Sequence, residues 1–525
     1  MTAAPPDSDR RLVPRWRQSG EAVKSGELQW HRPVPVKVHA GPEFDERLAE
    51  WRATPSIDVA AELVATSVAL GREAEALDAA RILVRPRNGA MPLVQAMARN
   101  VLAGETQAPA SKSRLAPGRI DVTVIYSHVS SLRSSLRQFP RNAFAWVDLA
   151  RLYTVLGQLE PARRAIATGL SLSPDDRFVL RSASRFYLHY DDPEQALAQL
   201  QRSTATRHDP WLMAAEISFA QILERRSRIA ANAKRRLTSG DWHPRSQSEL
   251  QGALASLLME DGSHRSARQL FEKSLTDPTE NAVAQAQWAT TRGVGLVVSK
   301  ATLSGTEASE ARALWARGAQ SWADVISECW AWAEFEPTSV RSMIMGSYAA
   351  GVALQDASTM LEFTQRGLAA EPHNFLLRNN EIVALIYQGH LGNAHENIQH
   401  LVAETDRETV MVYALQGLYR FRSGDYIGGR EEYEKAIAHP EAMRNKAIRS
   451  LALWHLAQEE ALAETGRAAA AIARAEKASR GVNVPELSAM RDRLVAPNSG
   501  DSKPSESRTA SLGIAIGIKN IVRKP

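Results

Sequence analysis

A short spacing recurs along this 525-residue chain: a glycine, then four other residues, then an alanine. The copies and their close variants are Gly71/Ala76, Gly157/Ala162, Asp191/Ala196, Gly262/Ala267, Gly389/Ala394, Gly424/Gly429 and Gly466/Ala471. Gly157 and Asp191 are 34 residues apart, and Gly389 and Gly424 are 35 residues apart. A period of this length is typical of chains built from stacked pairs of helices. One such pair cannot bury its apolar face alone, so the copies must pack into an array.

The best copy begins at Ala143 and supplies a residue of the expected type at most positions of one repeat. Its positions 4, 7, 8, 11, 15, 20 and 32 are Trp146, Leu149, Ala150, Tyr153, Gly157, Ala162 and Pro174. This pattern resembles the tetratricopeptide repeat, although Ile166 and Gly169 depart from it. The resemblance implies an all-α fold, a right-handed α-solenoid of helix-turn-helix repeats with flexible termini.

Each feature of the pattern has a physical reason. Small residues at positions 8 and 20 let the two helices of a repeat approach closely. The glycine at position 15 can adopt the left-handed conformation that ends the first helix, and the proline at position 32 stops the second. Almost no alternating apolar pattern of the strand type is present.

Composition and repeat positions together predict the organisation of the chain. The excess spacing between Gly262 and Gly389 points to an insertion. The predicted parts are an irregular segment 1–42, helices with a degenerate repeat 43–103, a linker 104–119, repeats 120–292, a loop insertion 293–310, repeats with a capping helix 311–496, and a disordered basic tail 497–525.

The net charge of +5 lies in the two ends of the chain. Residues 1–42 carry seven Lys/Arg against four Asp/Glu, and 497–525 carry five against two, which leaves −1 for the rest. A body without net positive charge argues against nucleic acid as the main ligand. No signal peptide and no apolar run of about 18 residues is visible, so we expect a soluble, cytoplasmic protein, and the arginine-rich composition points weakly to a bacterial source.

The sequence predicts no catalytic residue, no cofactor and no metal site. It contains no phosphate-binding Gly-rich loop, no nucleophile elbow and no zinc-protease motif. Cys329 is the single cysteine, and nothing near it in the sequence indicates a reactive thiol, so we expect it to be buried and inert.

The resemblance places the partner-binding groove on the first helices, at positions 2, 5, 9, 12 and 13 of each repeat. The predicted groove residues are Phe144, Arg151, Phe178, Arg181, Arg185, His189, Asn379, Tyr387, Phe421 and Arg422. Arginine forks suit carboxylates and aromatic rings suit an apolar anchor. We therefore expect a non-enzymatic scaffold, adaptor or regulatory subunit that binds an acidic or amphipathic segment of a partner protein. The equal alternative for these arginines is that they pair with acidic neighbours within the chain.

A second hypothesis is a helical-repeat protein that binds RNA or DNA through the segment 225–236. If this segment is one helix, four arginines share an arc of about 100° on its outer face. They are Arg225, Arg228, Arg235 and Arg236. A solvated charged face is the simpler interpretation, and the sequence does not indicate the oligomeric state.

Overall fold

The computed structural model describes residues 10–16, 42–70, 72–85, 92–103, 122–239, 242–304 and 308–495. In these ranges the regular secondary structure is helical and no strand is present, so the predicted all-α solenoid of helix pairs is confirmed. Gly71, the predicted linker 104–119 and the predicted tail 497–525 lie outside the described residues.

The N-terminal helices precede the regular repeats. They are α1 (Pro42–Ala53), α2 (Ile57–Leu70), α3 (Leu77–Leu83), α4 (Pro92–Ala103) and α5 (Val122–Gln138), with a 3₁₀ turn at Glu73–Ala76.

Helix pairs follow from residue 143 onward. They are α6 (Ala143–Val155) with α7 (Leu159–Leu172), α8 (Arg177–His189) with α9 (Pro193–Arg202), α10 (Pro210–Ile222) with α11 (Ala230–Ser239), and α12 (Pro244–Glu260) with α13 (His264–Ser274). Helix α14 (Glu280–Thr290) is followed by an extended stretch and the short α15 (Lys300–Leu303). Val294, Leu296, Val298 and Leu303 of this connection are buried.

The second half continues in the same way to the last helix. Its helices are α16 (Ser309–Gly318), α17 (Trp322–Phe335), α18 (Arg341–Tyr348), α19 (Ala357–Ala370), α20 (Phe375–Tyr387), α21 (Leu391–Gln399), α22 (Asp406–Arg422), α23 (Tyr426–Ala438), α24 (Pro440–Arg444), α25 (Lys446–Leu462), α26 (Ala468–Ser479) and α27 (Pro485–Val495). Helix α18 runs directly into a π-helical stretch, Ala349–Leu354.

The glycines of the repeated spacing end the first helices, as predicted. Gly157, Gly262, Gly389 and Gly424 have φ between 70° and 89°, and Asp191 takes φ 56° at the equivalent place. Gly466 is the exception, because Glu464, with φ 50°, ends α25 and the Thr465 amide donates to the Glu460 carbonyl. After α6, the amide of Gln158 donates to the carbonyl of Tyr153 at 2.9 Å, which closes a Schellman turn. The sequence spacing therefore marks the turn between the two helices of a pair.

The alanines of the spacing lie where paired helices touch. Five of them have no exposed surface: Ala76, Ala162, Ala196, Ala267 and Ala394. A larger side chain there would separate the helices, because protein interiors are close-packed. From α6 to α16, each first helix also packs against the next first helix, so these helices form one continuous inner face.

Candidate protein-binding groove

The N-terminal segment Arg10–Trp16 lies along this inner face without helical structure of its own. Its seven residues contact six successive first helices, from α16 at the start of the segment to α6 at its end. The contacting residues are Glu310, Asn281, Gln285, Gly252, Ser218, Phe186 and Arg151. The segment is therefore held in the way that a solenoid holds a peptide ligand, and we name it the groove segment.

Side chains of the first helices donate hydrogen bonds to the main-chain carbonyls of the groove segment. Gln285 Nε2 donates to Arg10 O at 3.0 Å and Asn281 Nδ2 donates to Val13 O at 2.9 Å. Further along, Ser218 Oγ donates to Leu12 O at 3.1 Å and Arg151 Nε donates to Trp16 O at 3.2 Å. These hydrogen bonds are accepted by main-chain atoms and do not depend on the side chains of the segment. They would therefore suit segments of many different sequences.

Glu310 is the carboxylate around which three arginines gather in the groove. Its carboxylate accepts from Arg10 Nε at 2.8 Å and Nη2 at 3.0 Å, and from Arg15 Nη2 at 2.6 Å. Arg341 Nη1 lies 3.3 Å from the same carboxylate. Although burial acts to raise the pKa of Glu310, the guanidinium groups of Arg10, Arg341 and Arg15 hold that pKa well below its usual range. Glu310 is therefore ionised in the folded protein.

Arg15 lies among several carboxylates. Burial acts to lower its pKa, but the charges of Glu336, Glu310, Glu280 and Glu249 raise the pKa of Arg15 above its ordinary value. Its Nε lies 3.7 Å from Glu336 Oε1. The pKa of Glu336 is in turn lowered by Arg15 and Arg185, against the opposing effect of burial. This part of the groove consequently brings four carboxylates near Arg15, with Arg341 and Arg185 of the solenoid also close to Glu310 and Glu336.

Apolar side chains of the groove segment fill matching recesses. Leu12 is 1% exposed, and a Cβ on Gly252 would lie 2.7 Å from its Cδ1, so this glycine makes room for the leucine. Trp16 is 3% exposed and packs edge-to-face on Phe186 at 6.0 Å between ring centroids. Its indole Nε1 has no acceptor among the described residues.

The structure places the predicted groove residues of the first repeats on this inner face. Arg151 contacts the groove segment, and Phe144 packs on Phe178 at 5.5 Å between ring centroids. Arg181 forms a two-pronged ion pair with Glu249, at 2.7 and 3.1 Å, and its guanidinium lies over the Trp211 ring. The pairing of Arg181 within the chain matches the alternative interpretation of these arginines.

Arg185 and His189 lie near acidic residues from the second half of the chain. His189 Nδ1 lies 3.9 Å from Glu371 Oε1, which would favour the charged imidazole. Burial prevails at this long distance, and with the nearby charge of Arg185 it lowers the pKa of His189 to about 4. Burial likewise raises the pKa of Glu371. The solenoid thus coils far enough for α8 to approach the end of α19.

The predicted groove residues of the second half interact with neighbours inside the chain. Arg422 forms a two-pronged ion pair with Glu459, at 2.6 and 3.1 Å, and lies over the Tyr387 ring. Burial together with Glu459 raises the pKa of Tyr387 to about 12. Asn379 and Phe421 are buried. Tyr387 is half-buried, and Arg422 remains exposed beside its ion pair.

Helix α27 is tied to distant first helices. Glu486 accepts from Arg317 of α16 at 2.6 and 3.1 Å, in a pair that is almost fully buried. At its other end, Arg493 donates to the carbonyls of Ala353 and Val352 at 2.6 and 2.7 Å. These two carbonyls belong to the π-helical stretch after α18. The last helix of the segment 311–496, predicted as a capping helix, is α27, and it packs across the inner face.

The single helix assumed for residues 225–236 is wrong. Helix α10 ends at Ile222, Glu224 takes φ 52°, and α11 begins only at Ala230. The cause is Glu216, which is fully buried and accepts hydrogen bonds from the Ser227 hydroxyl and the Arg228 amide. These bonds hold the chain in a turn where a helix was expected.

The four arginines of this segment therefore do not share one helix face. Arg225 Nη2 lies 3.5 Å from Glu194 Oε1, and Arg236 Nη2 lies 3.0 Å from His208 Nδ1. Arg228 lies in the turn, and only Arg235 and Arg236 belong to α11.

The residues that sequence reasoning missed are the groove segment itself and its acidic partners. Asn281 and Glu310 are each the second residue of a first helix, the position that also predicted Phe144 and Phe178. The same offsets would have found both, had the repeats on either side of the 293–310 stretch been located.

Among the described residues, no group of His, Cys, Asp and Glu could hold a metal ion. Cys329 is buried and free, and burial raises the pKa of its thiol far above the ordinary value. None of the helices in the described part is long and apolar enough to cross a membrane.

Helix pairs joined at left-handed glycines, with buried alanines between them, define the architecture. The fold is a solenoid of tetratricopeptide-like helix pairs. No protein-family model matches the chain, and a search of curated proteins found no matching sequence.

Solved structures similar to this chain are helical-repeat proteins. A tetratricopeptide repeat protein from Parabacteroides merdae is 14% identical with a TM-score of 0.26, over 52% of this chain and 97% of its own. The human IFIT1 dimer with PPP-AAAA is 13% identical with a TM-score of 0.32, over 86% and 93%. Yeast Tom70 is 12% identical with a TM-score of 0.30, over 86% and 95%.

Proposed function

We propose that this chain is a non-enzymatic interaction scaffold that binds a segment of a partner protein on the inner face of its solenoid. The observation that carries the proposal is the groove segment. Six successive first helices hold seven residues that have no helical structure, through backbone hydrogen bonds, buried ion pairs and an aromatic contact. A surface able to hold one extended segment in this way has the chemistry to hold another.

Binding of RNA or DNA through residues 225–236 has less support. The segment is interrupted by a turn, and two of its arginines already have partners within the chain. A phosphate-binding face needs cations that are free to replace counterions along one continuous surface.

Site-specific photocrosslinking tests the proposal. A benzoylphenylalanine is placed either at Phe178, half-buried on the inner face, or at Phe139, which is 63% exposed in the α5–α6 turn. The tagged variants are expressed in the source cells, irradiated and purified with and without nuclease. We expect a protein adduct that survives nuclease from position 178 and not from the matched control position 139.

Two outcomes count against the proposal. Adducts from Phe139 alone would place partner binding outside the inner face. Co-purified nucleic acid, with protein lost on nuclease treatment, would favour the RNA- or DNA-binding alternative instead.

A further inference from the structure

We propose that the inner face is a receptor for an extended segment of the pattern Arg-x-Leu-x-x-Arg-Trp, and that residues 10–16 are an internal copy that such a partner segment displaces. The inference rests on the proposed function and names the chemistry of the partner. The sequence predicted an acidic or amphipathic partner segment. The structure favours a basic segment instead, since an acidic segment does not suit this part of the groove.

The carboxylate of Glu310 requires charged hydrogen-bond donors from whatever occupies the groove. Glu310 is 2% exposed and accepts three hydrogen bonds from Arg10 and Arg15. With the groove segment removed, Arg341 would still lie 3.3 Å from this carboxylate, but the three hydrogen bonds would be lost. A buried carboxylate that loses its hydrogen bonds is strongly destabilising. An occupant therefore has to bring positively charged donors to the places of Arg10 and Arg15.

The first of these cations must be an arginine. Arg10 uses Nε and Nη2 for Glu310, Nη2 also for Asn281 at 2.8 Å, and Nη1 for Gln285. A lysine ammonium is a point donor and cannot satisfy three acceptors arranged around a planar fork. The groove thus distinguishes arginine from lysine at this position.

The apolar contacts determine where the leucine and the tryptophan lie in the pattern. The recess beside Gly252 takes the leucine two residues after the first arginine. Phe186 takes the tryptophan that directly follows the second arginine. Pro14 has no amide hydrogen and favours an extended conformation at Val13, which suits the hydrogen bond from Asn281 to the Val13 carbonyl.

Displacement is reasonable because the groove segment is short and has no internal secondary structure. A tethered segment competes at an effective concentration in the millimolar range. An external segment of the same affinity is consequently excluded until the internal copy is weakened or the partner brings additional contacts.

The test uses a fluorescein-labelled peptide of residues 8–18, Ser-Asp-Arg-Arg-Leu-Val-Pro-Arg-Trp-Arg-Gln, added to the full chain. Fluorescence anisotropy compares the wild type with the Arg10→Ala/Arg15→Ala variant, whose internal copy is weakened. We expect the variant to bind the peptide at least 100-fold more tightly than the wild type. A peptide with lysine in place of both matching arginines should bind at least 10-fold more weakly.

A matched pair of further variants locates the binding. In the Arg10→Ala/Arg15→Ala background, Asn281→Ala/Gln285→Ala should abolish peptide binding. Asn393→Ala/Asn397→Ala, which removes two exposed amides from the outer helix α21, should leave it unchanged. Circular dichroism checks that all variants keep their helix content.

Hydrogen exchange on the wild type covers the case in which the arginine variant does not fold. The amides of residues 10–16 should exchange at least 10-fold faster than those of α12 and α14. Unlabelled peptide above the millimolar effective concentration of the tethered segment should accelerate them. Exchange of the groove segment only together with the core helices would overturn the proposal. So would a folded arginine variant that fails to bind the peptide.

The two proposals fail in different ways. Peptide binding without any partner adduct at Phe178 would leave the groove chemistry standing and remove the scaffold function. A partner adduct at Phe178 without peptide binding would leave the scaffold function and remove the arginine-segment receptor.

Discussion

Single residues in the groove carry large electrostatic roles. Glu310 is buried and pairs with Arg10 and Arg15, and Arg341 lies next to it. Surface ion pairs contribute little to stability, but removing one member of a buried pair leaves an uncompensated charge. The sequence contains 59 acidic residues, and only their positions in the fold separate Glu310 from the rest.

Replacing Glu310 should destabilise the protein markedly. We expect Glu310→Gln to lower the free energy of unfolding by about 3–5 kcal/mol, because three guanidinium groups lose their shared carboxylate. Urea denaturation measures the effect. As the control, Glu272→Gln breaks the exposed pair with Arg268 and should cost less than about 0.5 kcal/mol. Equal effects of the two substitutions would contradict this role of Glu310.

His189 should make stability depend on pH. Its pKa is lowered from 6.5 to about 4 by burial, with a smaller contribution from Arg185. The folded state therefore disfavours the protonated ring, and the stability from this residue is complete above pH 6.5 and lost as pH falls toward 4. The expected loss is about 3 kcal/mol between pH 7.5 and pH 4.

A comparison with His189→Gln isolates this contribution. The variant removes the titrating group, so its free energy of unfolding should fall less than that of the wild type over the same pH range. Parallel curves for the two proteins, measured by urea denaturation, would show that His189 does not titrate with a lowered pKa.

At the scale of helices, the conformation of the residue that ends each first helix decides the turn. The repeated glycine meets this need in four pairs, whereas Asp191, Glu224, Gln320, Gln355 and Glu464 take the same left-handed conformation with a side chain. A left-handed conformation costs a residue with a side chain about 1–2 kcal/mol, and glycine escapes that cost. Helix ends could therefore be predicted wherever glycine marks them and were less visible elsewhere.

Exchanging residues at this position should change stability in opposite directions. Gly389→Ala should destabilise by about 1 kcal/mol, because no neighbouring atom lies within 4 Å of the added Cβ and only backbone strain acts. Gln355→Gly should stabilise by about 0.5–1 kcal/mol, since it removes that strain at some cost in unfolded-state entropy. Thermal unfolding of both variants checks the two signs, and a shift of the same sign in both would refute the explanation.

Another helix-scale difference arose from a tertiary contact. Residues 225–236 have an amphipathic pattern, yet the chain turns at 224–229 because buried Glu216 binds the backbone there. Amphipathic periodicity alone does not reveal that a carboxylate from the preceding helix competes for the helix-forming amides.

For the whole molecule, the main feature is that both described ends of the chain return to α16. Its second residue, Glu310, binds the groove segment, and Arg317 near its end binds Glu486 of α27. Repeat arrays usually make contacts only between neighbours. Here the groove segment links helices from α6 to α16, and α27 links α16 to α25.

These long-range links should make unfolding cooperative across the array. Urea unfolding of the wild type should follow one transition, coincident by circular dichroism and by tryptophan fluorescence. The double variant Glu310→Gln/Glu486→Gln should unfold in two separated transitions, because both links are weakened. If the double variant also unfolds in one coincident transition, these contacts do not couple the two halves.

The sequence by itself determined the helix-pair architecture, the positions of the glycine-marked turns and the alanines between paired helices. These features depend on local conformation and on close packing between neighbouring helices. Both requirements recur in every repeat, so they produce a periodic pattern of residues in the sequence. Only the tertiary structure decided what lies on the inner face. The pairing of Arg10 with Glu310 joins residues 300 positions apart, and such a contact leaves no period in the sequence. The coiling of the whole array brings these residues together, and the buried charges they share determine which occupant the groove can accept.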